Sequence, residues 1–246
     1  MNTDEIVNAV FKEVWNRTLT ATKEEIEPVI LPCGFVLGGQ PGSGKSNLIR
    51  MAREICQNNI IIISGDDYRK YHSDYDFFQK EYGKDSPKYT AEFAGKMTEA
   101  ILNKAVLEHY NIVIEGTFRN PATPIKTLSL MKDNGYKTVV LIQTTNREVS
   151  WKSCQERYEK MLEVKPEEAR WTDKAHHDAV VKKLAKNIKE VYDSRKADKI
   201  EVYFRDEYNN NRQIYTSESQ KPPSVKELNS YIGTVKNIKR KSGIER

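Results

Sequence analysis

Residues 35–46 read Phe-Val-Leu-Gly-Gly-Gln-Pro-Gly-Ser-Gly-Lys-Ser, and the part from Gly39 onward fits the phosphate-loop pattern G-x-x-x-x-G-K-[ST]. The apolar run before it predicts a strand and the residues after it predict a helix, which is the context that the pattern requires. Glycines permit positive backbone dihedrals and let backbone N–H groups approach phosphates. The following helix directs its positive end at the same phosphates. The sequence therefore predicts a P-loop that holds nucleotide phosphates.

Two side chains of this loop have specific expected roles. Lys45 is expected to contact the β- and γ-phosphates of ATP, and the Ser46 hydroxyl is expected to ligate Mg²⁺. ATP and Mg²⁺ are accordingly the predicted cofactors. The predicted nucleotide-binding residues are Gly39, Gln40, Pro41, Gly42, Ser43, Gly44, Lys45 and Ser46.

Short β-branched runs recur along the chain and alternate with segments of helical spacing, such as the one that contains Phe93, Met97 and Ile101. This alternation predicts an α/β fold of the P-loop NTPase/kinase type, in which helices flank a mainly parallel sheet. Residues 68–87 lack a clear period and predict a long loop or several short helices. The predicted strands are 35–37, 60–63, 112–114, 139–142 and 200–204.

Both ends of the chain add elements to this core. The apolar spacing near the N-terminus predicts an amphipathic helix that packs on the core or on a partner. Near the C-terminus, Asn209–Asn211 predicts the turn of an edge hairpin, and Pro222-Pro223 separates off a last helix. We expect one domain over residues 1–246, made of a core near 30–205, an N-terminal helix at 2–18, and a C-terminal hairpin and helix at 206–246.

Composition and charge limit the class of protein. The chain has 246 residues, 38% of them apolar, with 40 basic and 35 acidic side chains and a net charge of +5. No run approaches the ~20 apolar residues of a membrane span and no signal sequence is evident, so a cytoplasmic protein without membrane contact is expected. The mild charge suits an anionic substrate, and the basic residues after position 235 favour a solvated chain end over nucleic-acid binding.

The cysteines suggest neither a disulfide framework nor a zinc site. Cys33, Cys56 and Cys154 are odd in number and lack any C-x-x-C spacing. We expect three buried free thiols.

Polar residues follow the second predicted strand, at the edge of the sheet where open α/β folds bind ligands. They are Asp66, Asp67 and Arg69. In phosphoryl transfer, a carboxylate at this edge orients an acceptor hydroxyl and takes its proton. We interpret Asp66 as this base and Asp67 as a helix cap, a role that is also open to Asp66.

The third predicted strand ends at Glu115, which Thr117 and Arg119 follow. Glu115 is expected to hold a Mg²⁺-bound water or a substrate hydroxyl, and an ion pair with Arg119 is the alternative. Farther along, Arg157 and Arg170 have the spacing of lid arginines that neutralise charge in a transition state. Spacing alone does not separate them from ordinary helix-surface arginines.

An ordered set of segments resembles the zeta toxin family of bacterial toxin–antitoxin systems. The resemblance spans roughly residues 30–205 and loosens after Asp206. It implies an ATP-dependent kinase that phosphorylates the 3′-hydroxyl of the amino sugar of UDP-N-acetylglucosamine and so blocks cell-wall synthesis. It also implies a small helical antitoxin that blocks nucleotide entry, for which the N-terminal helix is a candidate contact. The segments are Gly38–Ser46, Ser64–Arg69, Phe93–Met97, Ile114–Arg119, Ala169–Trp171 and His176–Asp178.

Matching positions carry the family's roles onto this sequence. The resemblance implies that Asp66 is the base and that Arg157 and Arg170 contact the transferred phosphate, together with Lys45 and Ser46 at the triphosphate and Mg²⁺. The residues that it implies for the nucleotide sugar are Asp66, Glu99, Glu115, Thr117, Arg119 and Thr127. For Glu99 and Thr127, which fall in predicted helices, a surface position is the alternative.

Two histidines lie in the last matched segment. His176 and His177 are adjacent, and neighbouring residues on a helix point in different directions. They cannot easily ligate one metal together. We interpret both as structural.

Two other functions fit the same residues. One is a P-loop kinase for another hydroxyl, on a nucleoside, a different sugar or a polynucleotide end. The other is a binding module in which ATP orders a lid without phosphoryl transfer. Asp66 argues against the second, because only a transferase needs a base beside an acceptor hydroxyl.

Overall fold

The computed structural model describes residues 1–20 and 25–233, and the basic residues after position 235 lie outside this range. Within it, the strands form one sheet of order β2-β3-β1-β4-β5-β6, in which every pairing is parallel except β5 with β6. The predicted mainly parallel sheet and edge hairpin are therefore confirmed. The strands are β1 (Cys33–Gly38), β2 (Ile61–Ile63), β3 (Ile112–Glu115), β4 (Lys137–Thr145), β5 (Lys199–Arg205) and β6 (Asn211–Thr216).

Helices join and cover these strands. The segment after β2 folds into short helices, one of the two predicted alternatives, and a last helix follows the proline pair. The helices are α1 (Thr3–Leu19), α2 (Ser46–Ile55), α3 (Gly65–Tyr68), α4 (Tyr75–Tyr82), α5 (Ser86–Tyr89), α6 (Ala91–Leu107), α7 (Ala122–Asp133), α8 (Arg147–Val164), α9 (Lys174–Asp193) and α10 (Val225–Ile232).

The alternation of side chains along β1 divides the core into two layers. Phe35 and Leu37 pack in a cluster with Leu48 and Ala52 of α2. Val36, between them in sequence, belongs to the cluster on the other face, which also contains buried residues of α1, α6, α7, α9 and α10. Both faces of the sheet are thus covered, as expected for parallel strands.

The strand order brings three chain segments to one edge of the sheet. β3 lies between β2 and β1. All three strands run in the same direction, so their carboxyl ends meet at that edge. β1 leads into the P-loop, β2 leads to Asp66, and β3 ends at Glu115. Residues far apart in sequence are therefore neighbours here.

The N-terminal helix packs on the core. Asn2 and Glu5 form a capping box at its start, and α1 lies against α6. Its apolar residues Val14 and Trp15 are buried, and the Trp15 ring meets Tyr110 edge-on at 5.7 Å. The apolar face that made this helix a candidate antitoxin contact is therefore covered by the protein itself.

The C-terminal elements join the same core. α10 contacts α9 and β4, and buries Leu228 and Ile232. One hydrophobic cluster extends from Ile6 to Ile232, which supports the prediction of a single domain for the described residues. No helix of the described ranges has the length and apolar character needed to cross a membrane.

The expectation of three buried thiols is wrong for two of them. Cys154 is buried, whereas Cys33 and Cys56 are partly exposed. β1 and α2 bring these two thiols together. The hydrogen bond from Cys56 lowers the pKa of Cys33 to about 6, against the opposing effect of partial burial.

The packing of α1 predicts a large cost for truncating Trp15, whose side chain fills a buried site against α6. We expect Trp15→Ala to lower the free energy of unfolding by about 3–5 kcal/mol, measured by urea denaturation. Lys12→Ala, at an exposed position of the same helix, is the control and should change it by less than about 0.5 kcal/mol. Equal losses in the two variants would contradict this packing.

Candidate active site

The P-loop takes the left-handed backbone that its glycines permit. Gly39 has φ 142° and Gly42 has φ 75°. A Cβ on Gly42 would lie 2.0 Å from the Ser150 carbonyl oxygen, and one on Gly39 would lie 2.2 Å from that of Gln143. Glycine is thus required by contact with the protein's own backbone, in addition to the phosphate approach that the sequence suggested.

Lys45 is buried at the mouth of this loop, 8% exposed. Its Nζ lies 3.2 Å from the Gly39 carbonyl oxygen and 3.4 Å from that of Gln40. Glu115 Oε1 is 3.7 Å from the same nitrogen. Burial lowers the pKa of Lys45, and Glu115 partly opposes this effect. The lysine is placed where a polyphosphate would supply the negative charge that its surroundings lack.

Arg205 supports the P-loop by bonding to its backbone carbonyls. This role was not predicted from the sequence. Its Nε donates to the Ser43 carbonyl oxygen at 3.0 Å, and its Nη2 donates to that of Gly42 at 2.7 Å. The same Nη2 donates to Ser153 on α8 at 3.1 Å. Arg205 ends β5 without a motif around it, so its only sequence signal was its place at the ligand-binding edge of the sheet.

Asp66 lies between two arginines. Its Oδ1 accepts a hydrogen bond from Arg69 Nε at 2.8 Å, and its Oδ2 is 3.6 Å from Arg170 Nε. Partial burial raises the pKa of this carboxyl, but Arg170 and Arg69 outweigh it and the net shift is downward. Asp66 forms no side-chain cap of α3, so the capping alternative is not observed. The carboxylate is ionised at neutral pH and exposed enough to meet a ligand.

Arg157 and Arg170 face the same space as Asp66. Both line a cavity of about 780 Å³ that also contains Lys45 and Asp66. Arg157 donates to Thr172 at 3.1 Å. Arg157 is exposed on α8 and Arg170 is partly buried, and the two bring positive charge to the region in front of the P-loop.

Except for Arg119, the residues expected at the nucleotide sugar line a second cavity, of about 700 Å³, which adjoins the first. Asp66, Glu115, Thr117 and Thr127 line both. Thr127 is buried, so a surface position is wrong for it. We call the larger space, with Lys45, the front cavity and the other, with Glu99, the side cavity.

Glu99 and Arg119 lie at the rims of these cavities. Glu99 lines the side cavity and accepts a hydrogen bond from Lys126 at 2.8 Å. Arg119 is exposed in the front cavity. Its Nη1 lies 3.4 Å from His176 Nδ1, whereas Glu115 approaches Lys45. The alternative pairing of Glu115 with Arg119 is not observed.

The two histidines have different environments. His176 lines the front cavity beside Arg119, and its interpretation as a structural residue stays a prediction. His177 is fully buried, with Nε2 2.9 Å from Ser150 Oγ and Nδ1 3.0 Å from Asp178 Oδ1. This Ser-His-Asp order resembles a hydrolase triad, but Ser150 is itself fully buried. No substrate carbonyl can reach it, and the network instead joins α8 to α9.

Mg²⁺ is compatible with the donors at this site. The Ser46 hydroxyl is exposed at the start of α2, next to Lys45. In residues 1–20 and 25–233, no group of three or more acidic, histidine or cysteine side chains forms a metal cage. Mg²⁺ needs no such cage, because it keeps several waters and is held largely by nucleotide phosphates.

The geometry defines a class of protein. A mainly parallel sheet carries a P-loop at the end of its inner strand β1, and Asp66, Glu115 and two arginines surround the cavity in front of the loop. Fold and site together define a P-loop protein of the kinase type. Over most of its length, the chain is also similar in sequence to one family within that class.

The chain belongs to the zeta toxin family, whose model matches residues 15–220. It is 37% identical over 206 residues to Toxin PezT of Streptococcus pneumoniae serotype 4, covering 84% of this chain and 81% of that protein. It is 36% identical over 231 residues to Toxin zeta of Streptococcus pyogenes, covering 92% and 80%. The family membership predicted from the ordered sequence motifs is therefore confirmed.

Solved structures agree with this assignment. A chain from the PezAT chromosomal toxin–antitoxin system of Streptococcus pneumoniae matches with a TM-score of 0.79 at 30% identity, covering 95% of this chain and 90% of that one. A complex of AvrRxo1-ORF1 with ORF2 and ATP matches with a TM-score of 0.62 at 14% identity, covering 94% and 72%. The second likeness shows the fold alone.

Burial of His177 predicts a stability that falls as the pH falls. Burial lowers the pKa of this imidazole despite the adjacent Asp178, near which Lys174 and Arg147 also lie. The unfolded chain binds a proton near the ordinary pKa of about 6.5, whereas the folded chain resists it, so stability is lost below that pH.

We expect His177→Gln to have a smaller loss of unfolding free energy between pH 7.5 and pH 5.5 than the parent protein, measured by urea denaturation at both values. The variant should also be less stable at pH 7.5, because Ser150 and Asp178 lose their partner. An identical loss between the two pH values in both proteins would exclude His177 as a source of the dependence.

Proposed function

We propose that the protein is an ATP-dependent kinase that phosphorylates the 3′-hydroxyl of the amino sugar of UDP-N-acetylglucosamine, with Asp66 as the base. One observation carries the proposal: Asp66 lines both the front cavity, which contains Lys45, and the side cavity, which contains Glu99. A base at the junction of a phosphate site and a second large site suits transfer between two ligands. We place the reaction in the cytoplasm, where ATP is available.

The proposed step is a direct displacement at the γ-phosphorus. The acceptor oxygen bonds to this phosphorus, the bond from phosphorus to the β–γ bridging oxygen breaks, and Asp66 takes the hydroxyl proton. ADP and the phosphorylated sugar nucleotide result. When bound, Mg²⁺ neutralises phosphate charge beside Ser46. Lys45, Arg157 and Arg170 are proposed to face the transferred group and stabilise its charge.

The acceptor is proposed from the family and supported by the side cavity. Polar groups of four chain segments converge there, among them Glu99, Glu115, Thr117 and Thr127. A volume of about 700 Å³ exceeds what a small alcohol needs and is typical of sites for larger ligands. We assign these residues, with Arg119, to the nucleotide sugar.

The role of Asp66 predicts a selective loss in Asp66→Asn. Transfer should fall by about 10²–10⁴-fold while ATP binding, measured by calorimetry, remains. Lys45→Ala should weaken both binding and transfer. Asp67→Asn is the matched control: it removes only an exposed contact with Arg170 at 3.6 Å, and should cost less than about fivefold. Normal turnover by Asp66→Asn would overturn the mechanism.

The acceptor is tested by product mass after incubation with Mg²⁺-ATP and a panel of sugar nucleotides, nucleosides and oligonucleotides. We expect one added phosphate on UDP-N-acetylglucosamine. Transfer to a different member of the panel alone would replace this acceptor. ATP binding without transfer to any member would favour the binding-module alternative.

We also propose a small helical antitoxin as partner, as the family resemblance implies. Since the apolar face of α1 is buried, any contact on α1 would use exposed residues such as Lys12, Glu13 and Arg17. Deleting the helix would also uncover α6, so charge reversal at these positions is the better test.

The antitoxin is expected to co-purify with the chain and to suppress ATP binding. Combined reversal of Lys12, Glu13 and Arg17 should weaken the complex at least tenfold in calorimetry if α1 forms part of the interface, whereas reversal of Lys226 on α10 serves as the control. Unchanged affinity in a folded variant would remove α1 from the interface. Undiminished ATP binding at saturating antitoxin would contradict the blocking role.

A further inference from the structure

The segment that carries Arg170 is attached to helix α4. We call residues 165–173, between α8 and α9, the arginine loop. Gln79 Nε2 donates to the Glu167 carbonyl oxygen at 2.9 Å and lies 3.4 Å from the Ala169 carbonyl oxygen. Ala169 is the residue before Arg170. One side chain of α4 thus contacts the backbone on the N-terminal side of an arginine in the front cavity.

The Gln79 amide is held in one orientation. The Ser86 hydroxyl donates to Gln79 Oε1, which leaves Nε2 to face the two loop carbonyls. A flipped amide would place its oxygen against those carbonyls and its nitrogen against the serine. Tyr75 adds a second attachment, since its hydroxyl donates to the Glu167 carbonyl oxygen at 3.0 Å.

Arg69 completes a ring of polar contacts around the base. It donates to Asp66, to the Pro87 carbonyl oxygen at 2.7 Å and to Thr90 Oγ1 at 2.9 Å. The same segment, residues 86–90, holds Gln79 through Ser86. The ring runs from Asp66 through Arg69, this segment, Gln79 and the arginine loop back to Asp66, and its members line a cavity of about 110 Å³.

Arg170 depends on this support because its own contacts are loose. Its nearest carboxylate oxygens, on Asp66 and Asp67, are both 3.6 Å away. Its Nε is buried without a hydrogen-bond partner among the described residues. The arginine loop contains one short 3-10 turn, Pro166–Glu168, and no other regular structure. The position of the guanidinium is therefore set by the backbone that carries it.

We propose that Gln79 is a positioning residue, which holds the backbone of the arginine loop so that Arg170 faces Asp66 and the transferred phosphate. This inference rests on the proposed kinase function and adds to it a residue that contacts neither ligand. In this proposal, α4 links the segment that carries Arg170 to the contacts of Asp66.

The first test is Gln79→Leu, which keeps a similar side-chain length and good helix propensity but removes the amide. We expect kcat to fall about 10- to 100-fold, because displacing a catalytic group by about 1 Å has costs of this size. KM for ATP should stay within about twofold, since the P-loop is untouched. Lys80→Leu, at the next and exposed position of α4, is the control and should keep the parent kcat. An unchanged kcat in Gln79→Leu would overturn the proposal.

A double-mutant comparison separates positioning from general support of the fold. If Gln79 acts through Arg170, Gln79→Leu should reduce kcat less than about twofold further in an Arg170→Ala background. The same 10- to 100-fold loss in both backgrounds would show that Gln79 acts independently of Arg170, against the proposal.

Hydrogen exchange tests the attachment without reference to catalysis. The Glu168 and Ala169 amides donate within the arginine loop at 3.0 and 3.2 Å. Their exchange should accelerate at least tenfold in Gln79→Leu and stay unchanged in Lys80→Leu. If the parent protein transfers phosphate to no acceptor, the proposed function fails and this arm alone decides: acceleration supports the attachment, and parent-like exchange refutes it.

Discussion

The contact between Gly42 and the Ser150 carbonyl oxygen is the constraint on which the site depends. No side chain fits between the P-loop and α8 at this point, so a residue other than glycine would have to displace the loop or the helix. Arg205 strengthens the contact, because one guanidinium bonds both the loop carbonyls and Ser153 on α8. Ser150 of α8 in turn contacts His177 of α9, and His177 contacts the neighbouring Asp178. The phosphate loop, α8 and α9 therefore form one connected body.

That connection determines where positive charge lies. Arg157 extends from α8, which the P-loop contacts directly, and the arginine loop that carries Arg170 runs from α8 to α9. Opposite them, the ends of β2 and β3 supply Asp66 and Glu115. Lys45 is buried, and among the described residues one carboxylate lies within 4 Å of it, that of Glu115. The protein thus places an excess of cations around a space suited to a polyphosphate, with the carboxylates of Asp66 and Glu115 at its junction with the side cavity.

Much of the fold and part of the site could be predicted from the sequence. The P-loop and the strand ends follow from local patterns, because β-branched runs and a glycine-rich turn encode their own geometry. Asp66 and Glu115 could be flagged since Asp66 lies shortly after such a run and Glu115 ends one. Their exact neighbours could not, because Lys45 approaches Glu115 only through the order of strands across the sheet.

The residues that were missed act through long-range contacts. Arg205 and Gln79 bond to backbone carbonyls far away in sequence, and a carbonyl acceptor leaves no residue pattern to recognise. His176 and His177 look alike in sequence, yet one lines a cavity and the other is fully buried. Packing against α8 determines which of these two adjacent positions of α9 faces inward. The spacing of the apolar residues on α9 does not specify this orientation for its polar residues.

The packing of α1 on α6 also has a consequence for folding during synthesis of the chain. Synthesis proceeds from the N-terminus, and α6 is complete only roughly 90 residues after α1, which at cellular elongation rates is on the order of ten seconds. During this interval α6 is not yet present to cover Val14 and Trp15. α1 is thus synthesised well before the helix that covers it, and its apolar face is available to chaperones until α6 is complete.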